Sequence, residues 1–242
     1  MQSPEDALRA AEPRPHVGGS RSDKKNYAER LSRHLSTVFA NALRPHFDGV
    51  LPHADGTSQE SRARTAKGFK KLDVNYSTPE LGLGLGVSIK TLNFVDGSSA
   101  RYTKNFSRID NELRAEATDY HVRQPYSVLV AVLFLPRDSA REVEPRRSGG
   151  PSSFGAAVKY FRPRSIRRFP TDDPELFEGF FIGLYDPLAL EAAPTRFFDV
   201  REPPPRARPP RSDESYSFAE TVARIVATYD ERNQPPFEWA AD

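Results

Sequence analysis

The chain has 242 residues and no cysteine, which excludes disulfide frameworks and thiolate metal sites. Only 37% of the residues are apolar, and the formal net charge of +2 excludes a strong overall positive field. No apolar run reaches the ~18–20 residues that a transmembrane helix needs, and the N-terminus has no apolar signal core. We therefore expect a cytoplasmic protein without a membrane partner.

The choice of basic residue is uneven, since 27 of the 35 are arginine and 8 are lysine. Arginine binds phosphate through two parallel hydrogen bonds, so the excess suits a nucleic-acid partner. A genome rich in G and C gives the same excess through its codons and is the more common explanation. Composition alone therefore leaves the partner open.

The first predicted elements are a tail and a long helix. Residues 1–23 mix Pro, Gly, Ser and charges without periodicity, which predicts a disordered tail. Apolar residues then recur at helical spacing from Tyr27 to Leu43, which predicts a long amphipathic helix. Ser58 is placed to cap a short helix that runs through Thr65.

The spacing of apolar residues then becomes that of strands. Strands are predicted at 69–76 and 84–94, and a helix runs from Ser107 to about Arg123. Residues 126–135 are nearly all β-branched, aromatic or Leu. That composition predicts a central strand that is covered on both faces.

The second half of the chain adds one helix and two strands to the predicted domain. The helix is expected at 154–161, and the strands are expected at 176–185 and 196–200. A Pro-rich linker follows at 202–213, and a C-terminal helix at 214–242 is expected to pack on the domain. Residues 24–201 are thus predicted to form one α/β domain, a mixed sheet flanked by helices.

Three polar residues interrupt the first two predicted strands. Ser88 and Lys90 differ by two positions, so they point to the same side of one strand. Asp73 lies in the preceding strand, and a hairpin would bring its carboxylate beside the lysine. Charged groups in core strands are expensive unless they meet a partner or a metal, although an edge position would explain each of them alone.

Two acids on the predicted long helix form a second unusual pair. Glu112 and Glu116 lie one turn apart and share a face, where bare like charges cost about 0.2–0.5 kcal/mol. A solvated helix face is the default interpretation of such a pair.

The residues Glu60, Asp73 and Ser88-Ile89-Lys90, followed by a helix and an apolar strand, resemble the PD-(D/E)xK nuclease superfamily. This family includes many restriction endonucleases. Its pattern is a helical Glu, an Asp that opens a β-hairpin, and (D/E)-x-K on the next strand. The resemblance covers about residues 57–135 and implies a restriction endonuclease-like fold.

The chain departs from the family at Ser88, which stands where the second acid is expected. Some restriction endonucleases of the family have S-x-K and supply the missing carboxylate from the following helix. Glu116 and Glu112 are the candidates for that role here, and Glu116 is preferred. If neither side chain reaches the site, metal affinity is lost.

The resemblance implies Mg²⁺-dependent hydrolysis of DNA phosphodiester bonds, with Mn²⁺ as a substitute. Asp73 and Glu116 would hold the metal, with Glu60 as an accessory acid, because Mg²⁺ keeps several waters and needs few carboxylates. Lys90 would orient the attacking water or neutralise charge on the phosphate. The implied catalytic set is Asp73, Lys90, Glu60, Glu116, Glu112 and Ser88.

Basic residues near the predicted strands and helices are candidates for contacts with the DNA backbone. A solvated surface is the alternative for each of them. The candidates are Lys70, Lys71, Arg101, Lys104, Arg108, Arg167 and Arg168.

Restriction or anti-phage defence is the expected role, by analogy with the family alone. No separate DNA-reading domain is apparent, so a homodimer or a partner protein of a defence complex would supply specificity. A catalytically inactive nuclease-fold subunit that binds nucleic acid or scaffolds a complex is the alternative, supported by Ser88. A small-molecule enzyme with an apolar pocket between Phe177 and Tyr185 is the third.

Overall fold

The computed structural model describes residues 1–54, 61–65, 68–79, 82–141, 151–206 and 208–233. The helices in these ranges are α1 Pro4–Ala10, α2 Arg21–Leu43, α3 Phe106–His121, α4 Ser153–Phe161 and α5 Phe218–Arg232. The strands are β1 Ser61–Thr65, β2 Gly68–Leu72, β3 Val74–Thr78, β4 Gly82–Thr91, β5 Val128–Pro136, β6 Gly179–Tyr185 and β7 Arg196–Asp199. No helix among them is long and apolar enough to cross a membrane.

Five strands form a mixed sheet in the order β3-β4-β5-β6-β7. The inner pairs β4–β5 and β5–β6 are parallel, whereas the outer pairs β3–β4 and β6–β7 are antiparallel. The strands β1 and β2 form a separate antiparallel pair. The prediction of an α/β fold with a mixed sheet flanked by helices is confirmed at this level.

The central strand β5 is buried along its whole length, as its apolar composition predicts. One face of the sheet packs against α1, α2 and α5, where the core includes Leu8, Phe39, Ile225 and, from β5, Phe134. The other face packs against α3 and α4, where the core includes Leu113, Phe161 and Leu133. The chain therefore forms three layers, with the sheet in the middle.

The prediction of a disordered tail over residues 1–23 is wrong for α1. Ser3 accepts a hydrogen bond from the backbone of Asp6, whose side chain bonds back to the Ser3 N–H, and Pro4 occupies the first turn. This capping box is a helix-start signature that the sequence carries openly. Because Ala7 and Leu8 are buried in the core, the domain begins before residue 24.

The short helix predicted up to Thr65 is also wrong, because residues 61–65 form strand β1 paired with β2. Ser58 and Glu60 lie outside the described residues. The single strand predicted at 69–76 is divided at Asp73, where β2 ends and β3 begins. The break allows the aspartate to leave the ladder and turn its carboxylate toward β4.

The other predicted elements occur with shifted ends. The long helix α2 ends at Leu43, and α3 begins at Phe106 with Asn105 as its N-cap, two residues before Ser107, which the sequence predicts as the N-cap. At the C-terminus, α5 packs into the core through Val222 and Ile225, so the domain also extends beyond residue 201.

Gly86 allows β4 to pack closely against its neighbours. A Cβ atom at Gly86 would lie 2.7 Å from Leu129 Cδ2 and 2.9 Å from Leu72 Cδ1, closer than real Cβ contacts. Only glycine therefore fits this position without movement. Leu72 directly precedes Asp73, so the contact also helps to place the aspartate.

Candidate active site

Asp73 lies at the break between β2 and β3 and is held against β4. Its Oδ2 accepts a hydrogen bond of 2.7 Å from the Ile89 N–H. Part of the residue reaches the surface, but the carboxylate is surrounded by protein atoms, and this burial raises the pKa of Asp73. The Lys90 ammonium and the Ile89 N–H act in the opposite direction without overcoming it.

Ser88 joins β4 to helix α3. Its hydroxyl donates a hydrogen bond to Glu116 Oε1, and both residues are buried. The residue that replaces the motif acid thus contacts a carboxylate that comes from the following helix. Of the two predicted candidates, Glu116 is the one that makes this contact.

Lys90 lies on the same side of β4 as Ser88. Its Nζ is 3.7 Å from Glu116 Oε2 and 3.8 Å from Glu112 Oε2, and its side chain is 22% exposed. Burial alone would lower the pKa of Lys90, but Glu116, Asp73 and Glu112 outweigh it and raise the pKa. The lysine is therefore an ammonium at neutral pH and acts as a positive charge, not as a base.

Glu112 is the outer acid of the pair. Its side chain is 41% exposed, and its Oε1 accepts a hydrogen bond of 2.7 Å from Arg108 Nη1. Glu116, one turn further on, is 9% exposed and faces both Ser88 and Lys90. Of the two acids, Glu116 is thus the one that lies against both Ser88 and Lys90.

Among the described residues, three carboxylates surround the Lys90 ammonium, those of Asp73, Glu116 and Glu112. Glu112 also pairs with Arg108 at the edge of the site. Within the described ranges there is no cluster of three or more His, Cys, Asp or Glu side chains arranged for a metal. Two carboxylates with water in the remaining positions still match the ligand preference of Mg²⁺.

The structure corrects one predicted contact with nucleic acid. Arg167 is buried, and its Nε donates to Glu178 Oε1 at 3.0 Å. Its Nη2 atom bonds to the carbonyls of Pro125 and Pro170. A guanidinium enclosed in this way cannot reach a phosphate, so Arg167 has a structural role.

The other basic candidates differ in their surroundings. Arg101 donates to the Pro151 carbonyl at 2.8 Å, and Lys104 forms an exposed ion pair with Asp96 at 2.5 Å. Arg108 is exposed but paired with Glu112. Exposed positions are also occupied by Lys71 and Arg168, whereas the side chain of Lys70 lies outside the described residues.

A second cluster of buried charges escaped the sequence interpretation. Glu178 accepts a 2.8 Å hydrogen bond from the Leu129 N–H, and Arg167 and Arg232 both approach its Oε1. His121, at the end of α3, has its Nε2 3.4 Å from Glu178 Oε2. The signal was an acid inside the apolar run LFEGFF, since such an acid needs a buried partner.

The third interpretation, a small-molecule enzyme, required an apolar pocket between Phe177 and Tyr185. These two residues and Phe180, Phe181 and Ile182 between them are almost fully buried. Their side chains fill the core on both sides of β6.

Comparison with known proteins finds no match for this chain: no family model, no curated protein and no solved structure aligns with it. The resemblance to the nuclease superfamily therefore remains a prediction. It is supported only by the motif residues and by the geometry of the site.

Proposed function

We propose that this protein is a metal-dependent endonuclease that hydrolyses DNA phosphodiester bonds on a restriction endonuclease-like fold. One observation carries the proposal. The carboxylates of Asp73 and Glu116 face Lys90, and these three residues come from three separate segments of the chain. Ser88 and Glu116 are in contact, which is the arrangement that an S-x-K variant with a helical acid requires.

Asp73 and Glu116 would hold Mg²⁺ or Mn²⁺, with Glu60 as a further acid beyond the described residues. A metal bound there would supply Lewis-acid activation of water and neutralisation of charge on the phosphate. Carboxylates that come together from two separate segments suit such a cation, because Mg²⁺ prefers oxygen ligands.

The residues of the chain itself have distinct tasks in this proposal. The Ile89 N–H holds Oδ2 of Asp73. This bond orients the carboxylate so that its other oxygen, Oδ1, can take a ligand. The Ser88 hydroxyl fixes Glu116 in the same way through Oε1. Lys90, held as an ammonium, donates hydrogen bonds to a phosphate oxygen or to the attacking water and stabilises the developing negative charge.

By analogy with the family, we assign the enzyme to restriction or anti-phage defence. Its substrate would be DNA, and a second copy of the chain or a partner protein of a defence complex would add sequence recognition. This assignment is separate from the chemistry and has its own test, protection of cells against phage by the intact gene but not by the Lys90→Ala variant.

The direct test is cleavage of supercoiled plasmid by the purified protein with Mg²⁺ or Mn²⁺. We expect nicking or linearisation that EDTA abolishes and that Lys90→Ala and Asp73→Asn slow by roughly a hundredfold or more. Lys25→Ala is the matched control, since Lys25 is 75% exposed on α2 and pairs only with Glu29 among the described residues. Cleavage that survives Lys90→Ala would place the active site elsewhere.

A nuclease-fold subunit that binds nucleic acid without cutting it is the second candidate. The presence of Ser88 in place of an acid favours it, together with the lack of a three-ligand cluster among the described residues. Tight binding of labelled duplex, with no cleavage in either metal at high protein concentration, would select this candidate over the enzyme.

A further inference from the structure

A cavity of about 430 Å³ lies beside the segment that follows β4. Residues from the start of α2, from the segment after β4 and from the turn before α3 line it. Four are cationic and one is acidic, and Phe94 contributes an aromatic ring. The charged residues are Arg21, Lys24, Arg101, Lys104 and Asp96.

The cavity is close to the candidate active site along the chain. Phe94 follows Lys90 by four residues, so their Cα atoms are at most about 14 Å apart. Helix α3, which carries Glu116, begins directly after the turn that contains Lys104. The candidate active site and the cavity are therefore neighbours along β4 and the segment that follows it.

The cations of the cavity are engaged to different degrees. Arg101 donates to the Pro151 carbonyl, and Lys104 pairs with Asp96. Lys24 lies 5.5 Å from the centre of the Phe94 ring and bonds to the Val17 carbonyl. Within the described ranges neither Arg21 nor Lys24 pairs with a carboxylate, so their charge is available to an anion.

An aromatic ring beside cations is the combination that binds single-stranded nucleic acid, since the base stacks on the ring and the cations hold the phosphates. Phe94 is half-buried, packs edge-on against Tyr27 at 5.9 Å, and lines the cavity. The Arg14 guanidinium also lies over its ring, 5.0 Å from the centre, so a base that stacks on Phe94 takes the place of Arg14 or Lys24 there. The volume of about 430 Å³ is at the lower end of the roughly 300–1,000 Å³ range of small-molecule pockets, which is enough for one nucleotide.

We infer that this cavity binds an unpaired nucleotide of the strand that passes the active site, with its phosphate at Lys24 and Arg21 and its base against Phe94. The inference rests on the proposed function and extends it, because it names the substrate class. The substrate would be nucleic acid with a single-stranded segment beside the scissile bond.

The test measures binding without cleavage, by fluorescence anisotropy of a fluorescein-labelled oligothymidine in EDTA. Lys24→Glu should weaken binding roughly tenfold, because a phosphate contact becomes a repulsion. Phe94→Leu keeps apolar volume against Tyr27 but removes the stacking surface, and a loss of similar size, roughly tenfold, is expected. Lys25→Glu makes the same charge change at the next position of α2 and should change affinity by less than about twofold.

A blunt hairpin duplex with the same label is the second probe. The inference holds if Lys24→Glu and Phe94→Leu weaken binding of the oligothymidine more than binding of the duplex. It is overturned if Lys24→Glu binds the oligothymidine as tightly as Lys25→Glu does, or if both probes lose affinity equally. Thermal unfolding confirms that each variant is folded, and Lys24→Gln replaces Lys24→Glu if that variant is not.

Failure of the inference and failure of the proposed function are distinguishable. If the protein cleaves plasmid but binds oligothymidine equally well without Lys24, the inference about the cavity is wrong and the proposed nuclease function stands. If binding depends on Lys24 but the protein cleaves no substrate, the cavity binds nucleic acid and the proposed nuclease function is wrong.

Discussion

Two clusters of buried charge lie along helix α3, and each holds a carboxylate against a backbone N–H of the central strands. Asp73 accepts from Ile89 on β4, and Glu178 accepts from Leu129 on β5. Their charge balance differs. Among the described residues, three carboxylates surround one ammonium in the first cluster, whereas one carboxylate is shared by two guanidinium groups in the second.

The second cluster is closed by the protein itself. Arg167 directs its donors to Glu178 and to backbone carbonyls, including those of Pro125 and Asp173. Every part of that arrangement is internal, so it ties loops and helix α5 to the sheet. The difference teaches that exposure separates the two clusters. Lys90 and Glu112 are 22% and 41% exposed, whereas Arg167 and Glu178 are 1% and 2% exposed, so only the first cluster is open to a cation or substrate.

The largest expected effect is on the second cluster. Glu178→Gln leaves Arg167 and Arg232 buried without a counter-charge, so we expect the free energy of unfolding to fall by about 3–5 kcal/mol. The measurement is urea denaturation at neutral pH. Glu175→Gln is the control, because Glu175 pairs with Arg114 and Arg164 near the surface and should cost only about 1 kcal/mol. Equal losses in the two variants would contradict the argument that Glu178 is needed as a buried counter-charge.

The next effect separates the two acids of the first cluster. Glu116→Gln should slow plasmid cleavage roughly a hundredfold, because Glu116 is the buried proposed ligand. Glu112→Gln should slow it by less than about tenfold, since its charge is largely met by Arg108. The reverse order would assign the migrated acid to Glu112.

A smaller effect concerns stability against pH. Because the folded state holds the proton of Asp73 more tightly than the unfolded chain, the wild-type protein loses stability as the pH rises from about 3.8 through the raised pKa. Asp73→Asn lacks this loss and keeps an acceptor for the Ile89 N–H. The variant should therefore be more stable than wild type at pH 7 by roughly 1 kcal/mol, although it is inactive.

Asp96→Asn is a control of opposite sign for that measurement. The Lys104 ammonium beside Asp96 holds the pKa of this carboxyl below its ordinary value of 3.8. Asp96 thus contributes stability that is fully present above pH 3.8 and is lost as the pH falls below it. The asparagine variant lacks this contribution, so it becomes less stable than wild type as the pH rises. Denaturation curves at several pH values would show two opposite trends, and parallel trends would contradict the burial argument for Asp73.

The smallest effect tests whether the surface beside the second cluster also meets DNA. Arg168 is exposed although its neighbour Arg167 is enclosed. If Arg168 contacts a phosphate, Arg168→Ala should lower the slope of log affinity against log salt by about one. The binding is measured in EDTA, with the exposed Arg211 replaced by alanine for comparison. An unchanged slope would mean that Arg168 contacts solvent and not DNA.

The sequence predicted the main elements and much of the first cluster, because both follow from local patterns. The apolar run of β5 is central because it is covered on both faces, and the helical spacing of α2 and α5 is regular. The two-residue spacing of Ser88 and Lys90 placed them on one side of β4. The structure adds the contact from Glu116, which depends on how α3 crosses the sheet.

The errors have physical reasons. α1 was missed because it is only seven residues long and has no apolar periodicity, although its capping box was present. Arg167 is predicted at the surface because its partners come from separate segments: Glu178 lies before β6, and the Pro125 carbonyl lies between α3 and β5. Long-range charge pairing leaves little trace in one sequence, whereas periodicity is visible within a few turns.

The glycine at position 86 has a consequence for any mutational scan of this protein. A methyl group there would press on Leu72, the residue that precedes Asp73, and on Leu129, whose N–H holds Glu178. The atoms that it meets are the ends of two flexible side chains, so the cost depends on whether both leucines can move within a packed core. We expect Gly86→Ala to lower stability without touching a polar atom, and a survey that equates sensitivity with chemistry would mistake this spacer for a reactive group.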